Sequence, residues 1–321
     1  MARATSKDER GKWSVDQLPS HAHFESMKNS VGIIGASGLL GGKLAGEYDS
    51  MDWEVVRFSR KEREVAGQNW KKLSAEALSG LDVLVNLAGE PIDQRWTEEN
   101  KKLFWESRVG VTEQITKMVS QLPSEDRPKT WVNASAVGIY GDGGESELIE
   151  ESPTADGYLA ELCEHWERAA SAIEVSTCQV FSIRIGVVLG KESAAWKKMA
   201  SIFKLGLGGR LGSGQQWFPW IHIDDIVGGI VHLSQIEGAC GAYNLVAPEQ
   251  VRNVEFTKSL ASELNRPAIL PVPSFGLKLM LGEFADALLA SQRVSSEKLR
   301  QTGYKWRYPD LKSALKQLNE G

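Results

Sequence analysis

Apolar residues along this chain fall into short β-branched runs separated by longer stretches of helical periodicity. Val31 to Ile34 is one such run; it stops at Gly35, and Leu39 to Tyr48 continues with helical spacing. Trp53–Phe58, Asp82–Gly89, Trp131–Gly141 and Val180–Gly190 are further runs of strand length that end in small-residue turns. Between them, 97–121 and 158–173 carry the i, i+3, i+4 recurrence of amphipathic helices, and Pro123 and Pro128 punctuate the end of the first. The acidic, glycine-containing stretch Asp142–Glu151 predicts an exposed loop. Regular strand–helix alternation predicts an α/β fold, a doubly wound parallel Rossmann sheet with right-handed crossovers.

After residue 190 the texture changes. Gly206, Gly208, Gly209, Gly212 and Gly214 make a loop that leads into Trp217-Phe218-Pro219-Trp220 and then His222, Asp224 and Asp225. Ala242–Val246 predicts one more strand, and the tail alternates helices with Pro267, Pro271, Pro273 and Pro309. The expected organisation is a flexible polar leader over 1–29 and a Rossmann domain over 30–186 plus 223–247. A smaller C-terminal α/β substrate lobe takes 187–222 plus 248–321.

Gly35, Gly38 and Gly41 give G-x-x-G-x-x-G between a legible strand and a legible helix. A glycine-rich turn alone is also a flexible hinge, but this context selects dinucleotide binding. One glycine permits the turn, one admits the pyrophosphate, and one lets the helix pack on the strand. Ser37, Leu39 and Leu40 share that turn and helix start. Dinucleotide sites that take NAD usually place an acid about 20 residues further on. Here Ser59 and Arg60 stand at the end of the second run, a hydroxyl and a forked cation suited to a 2′-phosphate, so the cofactor expected is NADP(H). Lys61-Glu62-Arg63-Glu64 alternates in sign, and an ordinary solvated charge run is the bland alternative. Asn86, Leu87, Ala88 and Gly89 end the third run beside the cofactor's centre, and Arg108, Ala134 and Arg184 complete the expected cofactor set. Arg184 could equally grip a substrate phosphate or pair with a carboxylate.

Composition removes several classes. The 321 residues carry 37 basic and 42 acidic side chains, well mixed, for a net charge of −5, so a nucleic-acid surface is not expected. No apolar run approaches the roughly 20 residues of a membrane helix. Cys163, Cys178 and Cys240 are odd in number and far apart, which predicts no disulfide framework, no metal site and a reducing compartment. The leader lacks a signal-peptide core and is rich in acids; a docking segment for a protein partner is the expected role.

Together these residues resemble an atypical extended short-chain dehydrogenase/reductase of the group called epimerase family proteins, some of them plastid and some described as cell-division-inhibitor-like. The resemblance is carried by Val31–Gly42, Val85–Ile92, Ser135–Gly141, Leu162-Cys163 with Trp166-Glu167, Arg184–Gly190 and Leu205–Gly214 with Trp220–Asp225. It extends to Tyr243-Asn244, Arg266–Ala268 and a tail with Gly282-Glu283, Gln292–Val294 and Tyr308–Leu311, the group's own C-terminal domain of unknown function. It implies a Rossmann fold, NADP(H), and a small-molecule substrate such as a nucleotide sugar or carbonyl compound. The implied compartment is the cytoplasm, or the plastid stroma in a photosynthetic eukaryote.

The wider superfamily transfers hydride with a Ser or Thr, a Tyr, and a Lys four residues after that Tyr. Tyr158 fills the tyrosine position, but Leu162 stands where the Lys belongs, and Ala136 stands four residues before Tyr140 where the hydroxyl belongs. Ser135 is adjacent, yet on a strand it points to the opposite face. A phenol with a pKa of about 10 is only about one part in a thousand ionised at pH 7, roughly 4 kcal/mol short of an even balance. Tyr158 and Ser135 are thus the catalytic candidates of an incomplete triad. Tyr158 can also be a packing aromatic, and the site then belongs to a non-catalytic NADP(H)-dependent scaffold. His222 with Asp224 or Asp225 could form an acid/base pair, or the acids could cap a helix. Trp217, Phe218 and Trp220 are placed to line an apolar substrate wall.

Overall fold

The computed structural model describes residues 28–59, 65–173 and 177–320. Nearly all of the expected leader, and Arg60, lie outside the described residues. Along the chain, β1 (Ser30–Ile34) leads into α1 (Leu39–Ser50), followed by β2 (Glu54–Ser59), β3 (Asn69–Lys72), α2 (Ala75–Leu78) and β4 (Val83–Asn86). Then come α3 (Glu98–Trp105), α4 (Val111–Ser120), β5 (Thr130–Ala136), β6 (Glu147–Leu148), α5 (Tyr158–Ser171), β7 (Gln179–Ile185) and β8 (Val187–Leu189). After α6 (Ala194–Lys204) stand β9 (Trp217–Phe218), β10 (Trp220–His222), α7 (Ile223–Ser234) and β11 (Gly241–Leu245). The tail holds β12 (Val251–Arg252), α8 (Asn253–Glu263), α9 (Ser274–Leu281), α10 (Phe284–Leu289), β13 (Arg293–Val294), α11 (Glu297–Gln301) and α12 (Leu311–Glu320).

Seven strands form one sheet in the order β11-β7-β5-β4-β1-β2-β3, with every pairing parallel. Such a sheet is covered on both faces, so its central strands are apolar on both sides. Val31 and Ile33 of β1 pack with Leu44 and Tyr48 of α1 and Ile226 and Ile230 of α7. Ile34 packs the other way, with Leu78 of α2, Ile115 and Val119 of α4, and Ala170 of α5. Strand order reverses at β1, which has β2 and β3 on one side and β4 onward on the other. Beyond the carboxyl ends of β1 and β4 lies the crevice where ligands of such sheets bind. A second core joins Trp196 and Phe203 of α6, Trp220, Phe256 and Leu260 of α8, and Leu311, Leu315 and Leu318 of α12.

The structure departs from the periodicity in instructive places. The helix expected over 97–121 is interrupted by a π-helical turn, Glu106–Gly110, between α3 and α4. The stretch expected as an exposed loop, Asp142–Glu151, contains β6, which pairs in parallel with β13, and its Leu148 and Glu150 are buried. Neither β3 nor α2 was visible in the apolar pattern. Helix α7 begins at Ile223, capped by the His222 ring, so Asp224 and Asp225 lie in its first turn and are not its caps. Among the described residues, no helix is long and apolar enough to cross a membrane, and no group of three or more His, Cys, Asp or Glu could hold a metal ion.

Candidate functional site

The glycine turn has the geometry that a pyrophosphate needs. Gly35 adopts φ of +84°, a left-handed conformation that side chains rarely take. A Cβ on Gly35 would stand 2.8 Å from the Leu87 carbonyl carbon, and one on Gly41 would stand 2.3 Å from the Gly35 oxygen. Both contacts are backbone, so neither neighbour can give way. Gly38 is the N-cap of α1 and offers no side-chain cap, and the first turn holds no acid. The amides of that turn are therefore left to an external anion, with the helix dipole behind them. A bound dinucleotide fits this cradle. Ser59 follows Phe58, the residue paired with Ile34, and so lies level with Gly35 on the β2 side, where the adenosine ribose of such a cofactor lies.

On the β4 side, Leu87 donates its amide to the Ile34 carbonyl at 2.9 Å, which holds Leu87 to Gly89 against the turn. Asn86 is 0% exposed, and its side chain is spent internally. Its amide nitrogen donates to Thr112 (3.0 Å) and Asn133 (2.8 Å), and its oxygen accepts from the Ala88 amide (3.2 Å). It shapes the crevice wall and does not present a side chain to a ligand. Ala134 likewise packs among Phe104, Leu162 and Trp166. Arg108, carried by the π turn, lies against Gly89, whose Cβ would stand 3.0 Å from its guanidinium carbon. Its hydrogen bonds go to neutral acceptors, the Glu90 carbonyl at 3.0 Å and the Ser107 hydroxyl at 3.5 Å, and it sits over the Trp166 ring. Burial lowers its pKa. A cation so placed is suited to an anionic group in the crevice.

The catalytic candidates are placed differently. The parallel register puts Ser135 of β5, Arg184 of β7 and Asn244 of β11 in one row across three neighbouring strands. Glu167 of α5 covers that row: it accepts from Ser135 Oγ at 2.6 Å, and both its oxygens take Arg184, at 2.8 and 2.9 Å. Arg184 also donates to the Tyr140 hydroxyl and the Glu150 carbonyl, each at 2.8 Å, while Tyr140 donates to Asn244 at 2.7 Å. Burial opposes the charge on Arg184, yet the Glu167 carboxylate holds its pKa above the ordinary value. Arg184 is thus a buried brace, paired with a carboxylate, one of the two roles the sequence left open. Ser135 belongs to the same brace and faces away from the position of Ala136.

Tyr158 opens α5. Its hydroxyl donates to the Lys101 carbonyl at 2.6 Å, and its ring meets the edge of Trp96. Burial pushes its pKa up to about 12, against the pull of Arg108. Leu162, one turn on, is fully buried. Lys101 stands over the Tyr158 ring, but its ammonium is paired with Glu283 and Glu98. Both nitrogens of the His222 ring are engaged. Its Nδ1 accepts from the Asp224 amide at 3.2 Å and its Nε2 meets Gln317 at 3.0 Å, a neutral ring whose pKa burial lowers. Asp225 accepts from the Arg307 and Tyr308 amides and pins the tail to α7. Of the expected aromatic wall, Trp220 is core, and Trp217 and Phe218 are half-buried, Phe218 packed on Phe256 and Trp217 between Arg252 and Arg293.

The model of the NAD dependent epimerase/dehydratase family matches residues 31–245, well over half of the chain. The chain belongs to that family. A second model, a domain of unknown function (DUF1731), matches 272–318, in agreement with the resemblance of the tail. This epimerase-family chain is 37% identical to the epimerase family protein SDR39U1 homolog, chloroplastic, of Arabidopsis thaliana, over 89% of this chain and 86% of that one. It is 34% identical to the epimerase family protein YfhF of Bacillus subtilis, over 90% and 97%. The crystal structure of human epimerase family protein SDR39U1 (isoform 2) with NADPH superposes with a TM-score of 0.83 at 34% identity, covering 91% of this chain and 99% of that one. Glu167 and Asn244 stand in stretches that carry the resemblance, but their part in the brace was not foreseen, and Glu150, Thr112 and Asn133 were not singled out. Polarity inside apolar runs, at Asn133 and Asn244, was the residue-level signal.

Proposed function

We propose that this member of the epimerase family binds NADP(H) and that its residues suit reduction of a carbonyl compound. The observation that carries the binding is the uncapped, acid-free N-terminus of α1 above the Gly35–Gly41 cradle. The preference for NADP(H) rests on Ser59, level with Gly35 at the end of β2, and on Arg60, which follows it in sequence. Gly35, Ser37, Gly38, Leu39, Leu40 and Gly41 hold the pyrophosphate. Leu87 to Gly89 line the centre of the site, and Arg108 holds a further anionic group. When bound, the cofactor supplies or accepts a hydride at its nicotinamide ring.

The direction of reaction is argued from Tyr158. A phenol with its pKa pushed to about 12 stays protonated at neutral pH. It can hand a proton to a developing alkoxide, the stronger base, but it cannot begin an oxidation by removing one. An epimerisation that passes through a ketone must oxidise first. The Lys101 carbonyl that now accepts the Tyr158 proton would exchange places with the substrate oxygen. Titration of the protein with NADPH and NADH, followed by fluorescence, tests the binding: NADPH is expected to bind at least about five-fold more tightly, since a charge-assisted 2′-phosphate contact is worth about 1–3 kcal/mol. Equal affinity, or none, overturns the reading. Deuteride from labelled NADPH, offered a panel of ketones, aldehydes and nucleotide sugars, tests the turnover.

A second reading follows from the engagement of Tyr158 with Lys101, the buried Leu162 and the diversion of Ser135 into the Glu167 brace. In it, NADP(H) occupancy sets the shape of a scaffold or regulatory protein. Complete retention of the label, together with a stable protein partner, favours it, and the leader is the segment we propose for that partner. The compartment we propose is the cytoplasm, or the plastid stroma if the chain comes from a photosynthetic eukaryote.

A further inference from the structure

Thirteen large apolar side chains are exposed among the described residues, and eight of them fall in two short stretches of the C-terminal lobe. One stretch is the end of α6 and the loop after it, with Leu205 and Leu207. The other is Ile269 with α9, which presents Phe275, Leu279 and Met280. Leu205, Ile269, Phe275, Leu279 and Met280 are each between 73% and 81% exposed. The stretches adjoin. Val272 donates to the Arg210 carbonyl at 2.9 Å and accepts from the Gly212 amide at 2.8 Å, and Arg266 donates to the Lys204 carbonyl at 3.0 Å. A single protein rarely leaves so many large apolar groups together in water without using them.

The charge within these two stretches is one-sided, with Glu192, Glu263 and Glu283 flanking their ends. Residues 193–215 and 264–281 contain six Lys and Arg (Lys197, Lys198, Lys204, Arg210, Arg266 and Lys278) and no Asp or Glu, in a chain whose net charge is −5. Beside α6, a groove of about 330 Å³ is lined by Lys191, Lys197 and Lys204 together with Trp196 and Leu264. Two of the six cations have carboxylate partners at the edge, Lys198 with Asp93 and Lys278 with Asp286. A second copy docked on the same face would set cations against cations. Apolar tips rimmed by cations instead match a bilayer, in which the tips enter the acyl boundary and the cations meet anionic headgroups.

We propose that this face of the C-terminal lobe, formed by α6, its following loop and α9, docks the protein on the surface of an anionic phospholipid bilayer. Binding is peripheral and separate from the dinucleotide cradle. The test is sedimentation of the full chain with vesicles of phosphatidylcholine alone or mixed with phosphatidylglycerol, at low and high salt. The protein is expected to sediment with the mixed vesicles and to be released by salt. Lys197→Gln and Lys204→Gln should each weaken partition about five-fold, and Phe275→Ser with Leu279→Ser by at least about ten-fold. All these variants should keep the wild-type NADPH affinity and melting temperature, which separates lost docking from lost folding. Failure to sediment with anionic vesicles overturns the proposal, as does binding that none of the variants weakens. A dimer by light scattering that Phe275→Ser with Leu279→Ser dissociates, without vesicle binding, also overturns it and gives the face to a second copy.

Discussion

The Arg184 brace makes a prediction that separates a structural role from a ligand-binding one. Arg184→Met removes four hydrogen bonds at 2.8–2.9 Å. It leaves the Glu167 carboxylate, only 13% exposed, with the Ser135 hydroxyl as its remaining partner from the row. Breaking one side of a buried ion pair typically costs about 3–5 kcal/mol, because the other charge stays in a poorly solvated place. At about 2 °C per kcal/mol for a chain of this size, the melting temperature should fall by about 6–10 °C. Adding Glu167→Met removes the stranded charge, and the double variant should regain most of the loss. Calorimetry of the three proteins, with NADPH titration of each below its transition, is the measurement. A melting temperature unchanged in Arg184→Met, with NADPH affinity lowered more than about ten-fold, would refute the brace and restore Arg184 to the ligand site.

Other expectations follow from the same geometry. Gly41→Ala forces α1 away from the turn, because its Cβ meets the Gly35 oxygen at 2.3 Å, and NADPH affinity should fall at least about ten-fold, or about 1.4 kcal/mol, by calorimetric titration. Gly46→Ala, in the same helix but with open space around it, should instead stabilise by about 0.5–1 kcal/mol and leave affinity alone. His222 has its folded pKa lowered, so the unfolded chain takes up its proton first, and stability should drop as pH falls below about 6.5. His222→Asn keeps a helix cap without the titration and should flatten that part of the stability–pH curve; an identical curve refutes the assignment. Asp225→Asn gives up one acceptor for the Arg307 and Tyr308 amides and should destabilise by about 1–3 kcal/mol in denaturant melts.

What was legible in advance was local. The strand, turn and helix around Gly35, Gly38 and Gly41 follow from neighbouring residues, as do the buried strands of the sheet, whose apolar runs reflect helices on both faces. The π turn was not legible, since one extra residue hardly disturbs the apolar spacing of 97–121. Nor was the pairing of β6 with β13, which joins residues almost 150 positions apart through two strands of two residues each. The open alternatives at Arg184 have the same origin. At a strand end an arginine suits an anion, and only the register with Ser135 and the packing of α5 reveal that the anion is Glu167. Tyr158 and Leu162 were readable because their absent partner is itself a spacing.

The π turn at Glu106–Gly110 has a consequence for how this crevice can vary. One additional residue shifts the rotational phase between the helices on either side by about 100°. Helix α3 buries Phe104 against Leu162 and Trp166, and α4 buries Ile115 and Val119 against Leu84 and Trp131. Each stripe is in phase with its own groove only because the turn absorbs the mismatch. A deletion of one residue there, with α4 held in place, would swing Arg108 away from Gly89; with Arg108 held, it would turn Ile115 and Val119 toward water. The position of that cation is therefore fixed by residue count along the turn, and a change in length there would alter the crevice without touching any residue that lines it.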